Sequence, residues 1–391
     1  LILPISWLST SCIINNKMKR LFILQSIIFV LLLKSTFSFA ENFPKNDPVP
    51  DGVIYKGVNK EQWKTISKIG DPLNCQQKLY NFQQINDYKV IGPENCIENK
   101  NCIQDALSKN KYVKLKEGKY KIFSTINVFE KVLIGENNKV DIDAESVSTA
   151  IKVNNGIVAY LNVNNSRDIG FDIKFDSLVY RSIATNTGVT NPFTKKGHGF
   201  SIVDYKLDRS RTKDELKNGK GFSFNSCLVS LVSSGGYNES GSSNSTKRGG
   251  NADGFQIKYG AASVTLIDTH AHHNSDDGYD FWKAGKKSEE PVISLFYTSA
   301  NFNGKFNGDG NGFKFGSSNK YQKDRGKDWG TRMIYGSAAC GNKMNGFDRN
   351  KSPVKIISIG NQSKKNKKNN FEKVKNKKIK DDNNLLKCSM F

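Results

Sequence analysis

The sequence has no Cys-x-x-Cys pair, no His-Glu-x-x-His segment and, beyond residue 40, no apolar run long enough to cross a bilayer. The first two absences speak against a zinc knuckle and a zinc-peptidase helix. The third leaves no membrane span once the N-terminal segment is set aside. Acidic residues are also scarce: 37 Asp and Glu stand against 59 Lys and Arg, a formal charge of +22 over 391 residues. That deficit favours a polyanionic partner such as nucleic acid, an anionic membrane or an acidic polysaccharide, without choosing among them. From about residue 198 onward there is no long amphipathic helical pattern, so the C-terminal half reads as a β structure.

What is present begins with a targeting segment. Met18-Lys19-Arg20 is a basic start, the apolar run LFILQSIIFVLLL follows, and Ser38 and Ala40 supply the small residues of a cleavage site. Residues 1–17 read as upstream translated sequence and 1–40 as removed from the mature chain, which is then expected to be secreted, monomeric and free of the membrane. Six cysteines follow: Cys75, Cys96 and Cys102 cluster, while Cys227, Cys340 and Cys388 are scattered. Export favours disulfides, but the sequence selects no pairing.

A glycine followed by an aromatic residue recurs at Gly170-Phe171, Gly199-Phe200, Gly221-Phe222, Gly254-Phe255, Gly278-Tyr279, Gly312-Phe313 and Gly346-Phe347. The steps between these glycines are 29, 22, 33, 24, 34 and 34 residues, which reads as one short unit with insertions of variable length; 237–250 is such an insertion by composition. After each glycine, apolar and polar residues alternate for three positions, the signature of a short strand with one buried face. Short strands at such a period, separated by Asn- and Gly-rich turns, describe an all-β fold, a right-handed parallel β-helix in which stacked coils bury one continuous column. Ile103, Ala106 and Leu107 form the apolar face of a short N-terminal capping helix, YVKL at 112–115 a first strand and EGKY at 117–120 a turn. The expected divisions are 41–100, a region of unclear fold packing on the solenoid; 101–360, the β-helix; and 361–391, a flexible basic tail.

Aligning the coils on their glycines puts Lys220, Asp253, Asp277, Asn311 and Asn345 in one column, and Ser223, Gln256, Asp280, Lys314 and Asp348 in the outward column beside it. Neighbours in such a column are ~4.8 Å apart. Asp253, Asp276, Asp277 and Asp280 therefore converge, and an all-oxygen, carboxylate-rich set suits a hard cation, Ca²⁺. The bland alternative is an exposed acidic ridge, which mutual repulsion disfavours. The segment GDGNG at 308–312 resembles part of a calcium loop but lacks the EF-hand spacing. Lys314 lies one coil from Asp280; beside a bound dication its pKa should fall, which makes it a candidate general base. His270, His272 and His273 read as turn residues rather than a zinc site, and Lys286, Lys287 and Lys247-Arg248 as solvated surface from which no substrate contact can be chosen.

The motifs NADGF (251–255), NSDDGYD (274–280), GDGNGFKFG (308–316) and NGFDRN (345–350), in this order, resemble the ninth family of polysaccharide lyases, calcium-dependent pectate lyases on a parallel β-helix. The resemblance covers about 198–360, and 101–122 is similar to the opening of pectin-lyase-like β-helices generally. It implies that Asp253, Asp276, Asp277 and Asp280 hold the catalytic Ca²⁺ and that Lys314 is the Brønsted base. The implied reaction is β-elimination on polygalacturonate, and the implied partner is an acidic polysaccharide rather than nucleic acid. A lyase for another uronate, a polysaccharide-binding or adhesin β-helix and a glycoside hydrolase with paired carboxylic acids on the same solenoid are the competing expectations.

Overall fold

The computed structural model divides into two compact units, 1–60 and 61–391, and describes residues of the second: 72–145, 147–188, 197–203, 222–234, 251–288, 291–304, 308–317 and 328–372. The targeting segment, the insertion at 237–250 and the chain after 372 lie outside the described residues.

Three long sheets of ten, nine and eight strands, with every pairing parallel, run the length of the described solenoid. Each coil contributes one strand to the eight-stranded sheet, then one to the ten-stranded and one to the nine-stranded sheet, as in Ile126–Phe129, Val132–Gly135 and Val140–Asp143. This is the parallel β-helix that the glycine–aromatic repeat requires. Corners are made by single left-handed residues stacked coil on coil. After the ten-stranded sheet they are Tyr160, Arg181, Ser230, Asp268, Tyr297, Gly336 and Gly360, with φ between 44° and 62°. Such a conformation costs a non-glycine residue roughly 1 kcal/mol, which the stacked strands on either side offset.

The repeat itself has a packing cause. The aromatic residues form one internal column: Phe171, Phe200, Phe255, Tyr279, Phe313, Phe347 and Phe371 stack with ring centroids 4.6–4.9 Å apart and nearly parallel planes. Beside it runs a buried amide ladder. Asn274 Nδ2 donates to Asn303 Oδ1 at 2.9 Å, Asn303 Nδ2 to Asn342 Oδ1 at 2.9 Å, and Asn342 Nδ2 to Asn366 Oδ1 at 2.8 Å. The glycines make room for this ladder. A Cβ on Gly254, Gly278, Gly312 or Gly346 would stand within 2.9 Å of the amide nitrogen of Asn274, Asn303, Asn342 or Asn366, respectively. Each glycine is thus required by an asparagine of the turn that follows the nine-stranded sheet.

Four details depart from the sequence reading. Phe222 begins Phe222–Val229, which belongs to the ten-stranded sheet and pairs with Ala261–Ile267. Ser223 faces Ala262 there, and the aromatic column passes directly from Phe200 to Phe255. The alternation Phe-Ser-Phe is a strand pattern, but pattern alone does not say which sheet a strand joins. Lys220, assigned to the column of Asp253 and Asp277, lies outside the described residues. The segment EGKY is mostly strand, Gly118–Lys121, because buried Tyr120 fills the first coil. YVKL is preceded by an earlier strand, Lys89–Ile91, which pairs with it. Finally, the coil continues past 360: Gln362–Lys364 joins the nine-stranded sheet, Asn366 ends the ladder and Phe371 ends the stack. Lysine-rich composition concealed that last coil, whose outward positions carry the charge.

Of two helices, Pro72–Gln83 and Cys102–Lys109, the second closes the N-terminal end, whereas the first lies against the ten-stranded sheet at Leu178–Tyr180 and Phe222–Val229. The first buries Leu79 and Phe82 and is tied to the solenoid by the Cys75–Cys227 disulfide. The second buries Ile103 and Leu107, with Ala106 packed at its margin, and begins at the Cys96–Cys102 disulfide.

Candidate active site

The outward column of the eight-stranded sheet runs Asn127, Lys152, Asp172, Ser201, Gln256, Asp280, Lys314, Asp348. Ser201 holds the place the sequence alignment gave to Ser223. Near the C-terminal end, the turns that lead into three successive strands bring further chemistry to this column.

Asp253, Asp276 and Asp277 are fully buried, and each offers a carboxylate oxygen within 4.8 Å of the others. Their positions are set by backbone donors of the turns. Asp309 N donates to Asp276 Oδ1 at 2.6 Å, and Asn311 donates to Asp277 Oδ1 from its backbone N (2.7 Å) and from Nδ2 (2.9 Å). The segment 308–312 thus buttresses the aspartates. Gly308 permits that approach, since a Cβ there would stand 2.5 Å from Asp276 Cα.

Asp280 stands outside this close group. Its Oδ2 is 2.6 Å from Lys258 Nζ, and the same ammonium is 2.8 Å from Asp253 Oδ2. Lys314 Nζ lies 2.9 Å from Asp277 Oδ2, 3.7 Å from Asp309 Oδ2 and 4.0 Å from Asp280 Oδ2. His198 Nδ1 is 3.5 Å from Asp253 Oδ2. Sequence reasoning missed Lys258 and His198. Lys258 had a signal: it lies two residues after Gln256, which pairs with Asp280, so it is the diagonal neighbour of that carboxylate on the same face. His198 had one too, since it precedes Gly199 as Asp253 precedes Gly254, but the Gly221-Phe222 pair, which belongs to another sheet, stood between them in the alignment.

The electrostatics follow from burial. Desolvation, reinforced by Asp277 and Asp253, pushes Asp276 well above the usual carboxylate range. Desolvation also raises Asp253 and Asp277 against the pull of Lys258 and Lys314, respectively. For Asp280 burial acts upward too, but Lys258 and then Lys314 outweigh it and its carboxyl titrates below the ordinary value. Burial acts downward on Lys314, yet Asp277, Asp280, Asp276 and Asp253 outweigh it and hold the ammonium well above its ordinary pKa. The fall expected from the sequence therefore does not arise from the protein alone; the carboxylates themselves stabilise the charged lysine.

The carboxylates are also less naked than the sequence implied, since two ammonium groups face them. Four aspartates against Lys258 and Lys314 leave, when all are ionised, the negative charge that one dication neutralises. Asp280 Oδ1 is a buried acceptor with no hydrogen-bond donor among the described residues. The donor set is oxygen only, which fits Ca²⁺ rather than a soft metal.

His270, His272 and His273 lie on and after His270–His272 of the nine-stranded sheet, away from this column. His270 bonds Ser299 Oγ (2.8 Å) and Asp268 Oδ1 (3.1 Å), and His273 stacks on Phe302.

Residues 99–384 match the model of a family described as Pel9A-like, right-handed β-helix region. Among solved structures, the chain is similar to a pectate lyase, Pel9A, at 20% identity, with a TM-score of 0.52 over 72% of this chain and 70% of that one. It is also similar to a rhamnogalacturonan lyase (16% identity, TM-score 0.46, 66% and 68% covered). A third is PfbA, a surface adhesin of Streptococcus pneumoniae (13% identity, TM-score 0.43, 73% and 80% covered). No protein of curated function matches the sequence.

Proposed function

The chain belongs to the Pel9A-like right-handed β-helix family, and on that premise we propose that it is a calcium-dependent lyase that cleaves an acidic polysaccharide of the polygalacturonate type by β-elimination. The observation that carries the reading is Lys314, part-buried, 2.9 Å from Asp277 and beside the close group of Asp253, Asp276 and Asp277. Those three aspartates would hold the ion, with Asp280, paired to Lys258, as the fourth carboxylate beside them. When bound, Ca²⁺ engages the carboxylates that keep Lys314 protonated and offsets the charge of the substrate's own carboxylate.

The chain's own part is positional. Lys314, neutral, takes the proton from C5 of the uronate. The C5–H electron pair forms the C4–C5 double bond, and the C4–O bond breaks with its pair leaving on oxygen, which is protonated from solvent. Phe313 and Phe315 on either side are buried, so the strand that carries Lys314 is fixed by the core rather than by the site. We read the protein as exported and monomeric. The N-terminal sequence pattern and the Cys75–Cys227 and Cys96–Cys102 bridges support export, because disulfides persist in oxidising compartments.

The test is ultraviolet absorbance of an unsaturated product on polygalacturonate, run beside alginate and a glycosaminoglycan. Absorbance should appear, vanish with a chelator, return with Ca²⁺ and return poorly with Mg²⁺, which keeps its water and demands tighter octahedral geometry. Full activity in excess chelator sinks the metal assignment. Chain cleavage without the double bond means a hydrolase, and binding without cleavage means an adhesin.

A further inference from the structure

Three or four residues beyond Asp280, Lys314 and Asp348, their strands run onto one buried carboxylate. Asp328 accepts from Lys283 N (2.6 Å), Ser317 N (2.6 Å), Ser317 Oγ (3.1 Å) and Ser352 Oγ (2.8 Å), binding three successive coils at that corner. The next residue is Trp329. Its carbonyl accepts from Arg332 Nη1 at 2.7 Å, while Nη2 of the same guanidinium donates to Ala284 O at 2.7 Å. Arg332 is fully buried. A charge is expensive to bury, and this one is committed to holding two main-chain carbonyls. Gly285 completes the fit: a Cβ there would stand 2.1 Å from Trp329 O.

This scaffold presents Trp329 to a groove of about 480 Å³ lined also by Lys287, Ser288, Gly330, Thr331 and Lys355. Trp329 is half-buried, whereas Lys287 and Lys355 are exposed. An indole offers a flat apolar surface to the C–H face of a sugar ring, and two ammonium groups offer charge-assisted bonds to a carboxylate. A neutral sugar would use the indole but not the two cations. We infer that Trp329, Lys287 and Lys355 form an accessory binding site for a uronate residue of an anionic polysaccharide, at the corner that follows the candidate catalytic strands. The ligand class rests on the function proposed above; the site does not depend on turnover.

Binding is therefore measured with a chain that cannot turn over. Lys314→Ala protein, otherwise full length, is run by affinity electrophoresis through gels containing polygalacturonate, fully methyl-esterified pectin or single-stranded DNA. Retention by polygalacturonate should weaken about tenfold in apparent Kd when Lys287→Ser and Lys355→Ser are added, and similarly with Trp329→Ala. Trp329→Phe should restore most of it. Trp329→Ala leaves the Arg332 bond intact, since that bond is to main chain; if the variant unfolds, the lysine pair, being exposed, still decides. With Lys314 restored, these variants should cleave a galacturonate trimer at the wild-type rate. Unchanged retention in the double lysine variant overturns the inference. Equal groove-dependent retention by esterified pectin or DNA also overturns it, the first removing the need for a carboxylate and the second the need for a sugar acid. A failure of the lyase reading shows differently: the wild-type chain yields no unsaturated product while polygalacturonate retention still falls in the groove variants.

Discussion

Lys152 and Asp172 stand on the same outward column as Lys314 and Asp280, one strand apart, in the same parallel register. Both pairs put a lysine beside an aspartate, yet the environments differ. Asp172 is part-exposed and bridges Lys174 at 2.9 Å, and Lys152 is exposed. Asp280 and Asp277 are buried, and Lys314 is part-buried like Asp172. The strands are the same in kind, with Ile151 and Phe171 in the core column behind the first pair and Tyr279 and Phe313 behind the second. What differs is the turn before each strand. The segment before Phe171 is Arg167-Asp168-Ile169-Gly170, whereas the segment before Tyr279 is Ser275-Asp276-Asp277-Gly278 and is closed over by 308–312. The comparison teaches that the solenoid supplies a register everywhere, and the turns decide where that register becomes a site.

The largest expected effect breaks the comparison at its two lysines. Lys314→Ala should lower kcat by at least the roughly 10²–10⁴ typical of a lost general base, with little change in KM. Lys152→Ala, on the same column, should leave both constants unaltered. Lys314→Arg keeps the charge but cannot deprotonate near working pH, so it should be nearly as inactive as the alanine variant. Steady-state kinetics on polygalacturonate decide. An arginine variant with most of the wild-type kcat would mean that Lys314 acts only by charge.

The next effect is on stability. Lys258 is buried between Asp253 and Asp280, and Lys258→Met would leave two buried carboxylates without their shared cation. Breaking a buried pair costs roughly 3–5 kcal/mol. The corresponding change toward the N-terminal end, Lys174→Met beside Asp172, should cost less, because that pair is only part-buried and Asp172 keeps access to water. Denaturant titration of both variants, each with and without Ca²⁺, checks this. The Lys258 variant should recover more stability from Ca²⁺ than the wild type does. Equal losses in the two variants would mean that Lys258 is incidental.

Much of this was legible in the sequence, and the reasons are specific. The spacing Gly254, Gly278, Gly312, Gly346 gives the register, because a glycine is needed wherever the Asn274–Asn366 ladder passes. From that register the adjacency of Asp280 and Lys314 follows directly. Gly221-Phe222 misled, since the same local alternation serves any of three sheets. Lys258 was passed over because an isolated lysine is usually solvated, and its burial comes from a diagonal contact that only the paired strands create. Trp329 and its groove were not legible at all. They depend on Asp328 gathering Lys283, Ser317 and Ser352 from three coils, a contact with no pattern in the chain.

The smallest predicted effect concerns the nine-stranded sheet. Its outward column reads Asn164, Thr185, Ser234, His272, Asn301. The three coils before this one thus carry neutral polar groups where it carries an imidazole, while Asp143 and Lys121 occupy the column further toward the N-terminus. Burial, and then the nearby His273 and His270, pull His272 down to about 4, and its Nδ1 lies 3.0 Å from Nδ1 of His273. Between that value and the ordinary ~6.5, the folded chain binds fewer protons at His272 than the unfolded chain does. Stability contributed by the neutral ring is therefore present above about pH 6.5 and is lost as pH falls toward 4. Discounted for partial exposure, the loss is roughly 1 kcal/mol. His272→Asn, which copies Asn164, should fold at pH 7 and lose less stability than the wild type between pH 7 and pH 4.5. The readout is the difference in Tm shift between the two proteins, since carboxylates elsewhere contribute equally to both. Parallel Tm-versus-pH curves would mean that His272 titrates alike in the folded and unfolded chains, and that this corner is as indifferent to protons as the asparagine, threonine and serine of the three coils before it.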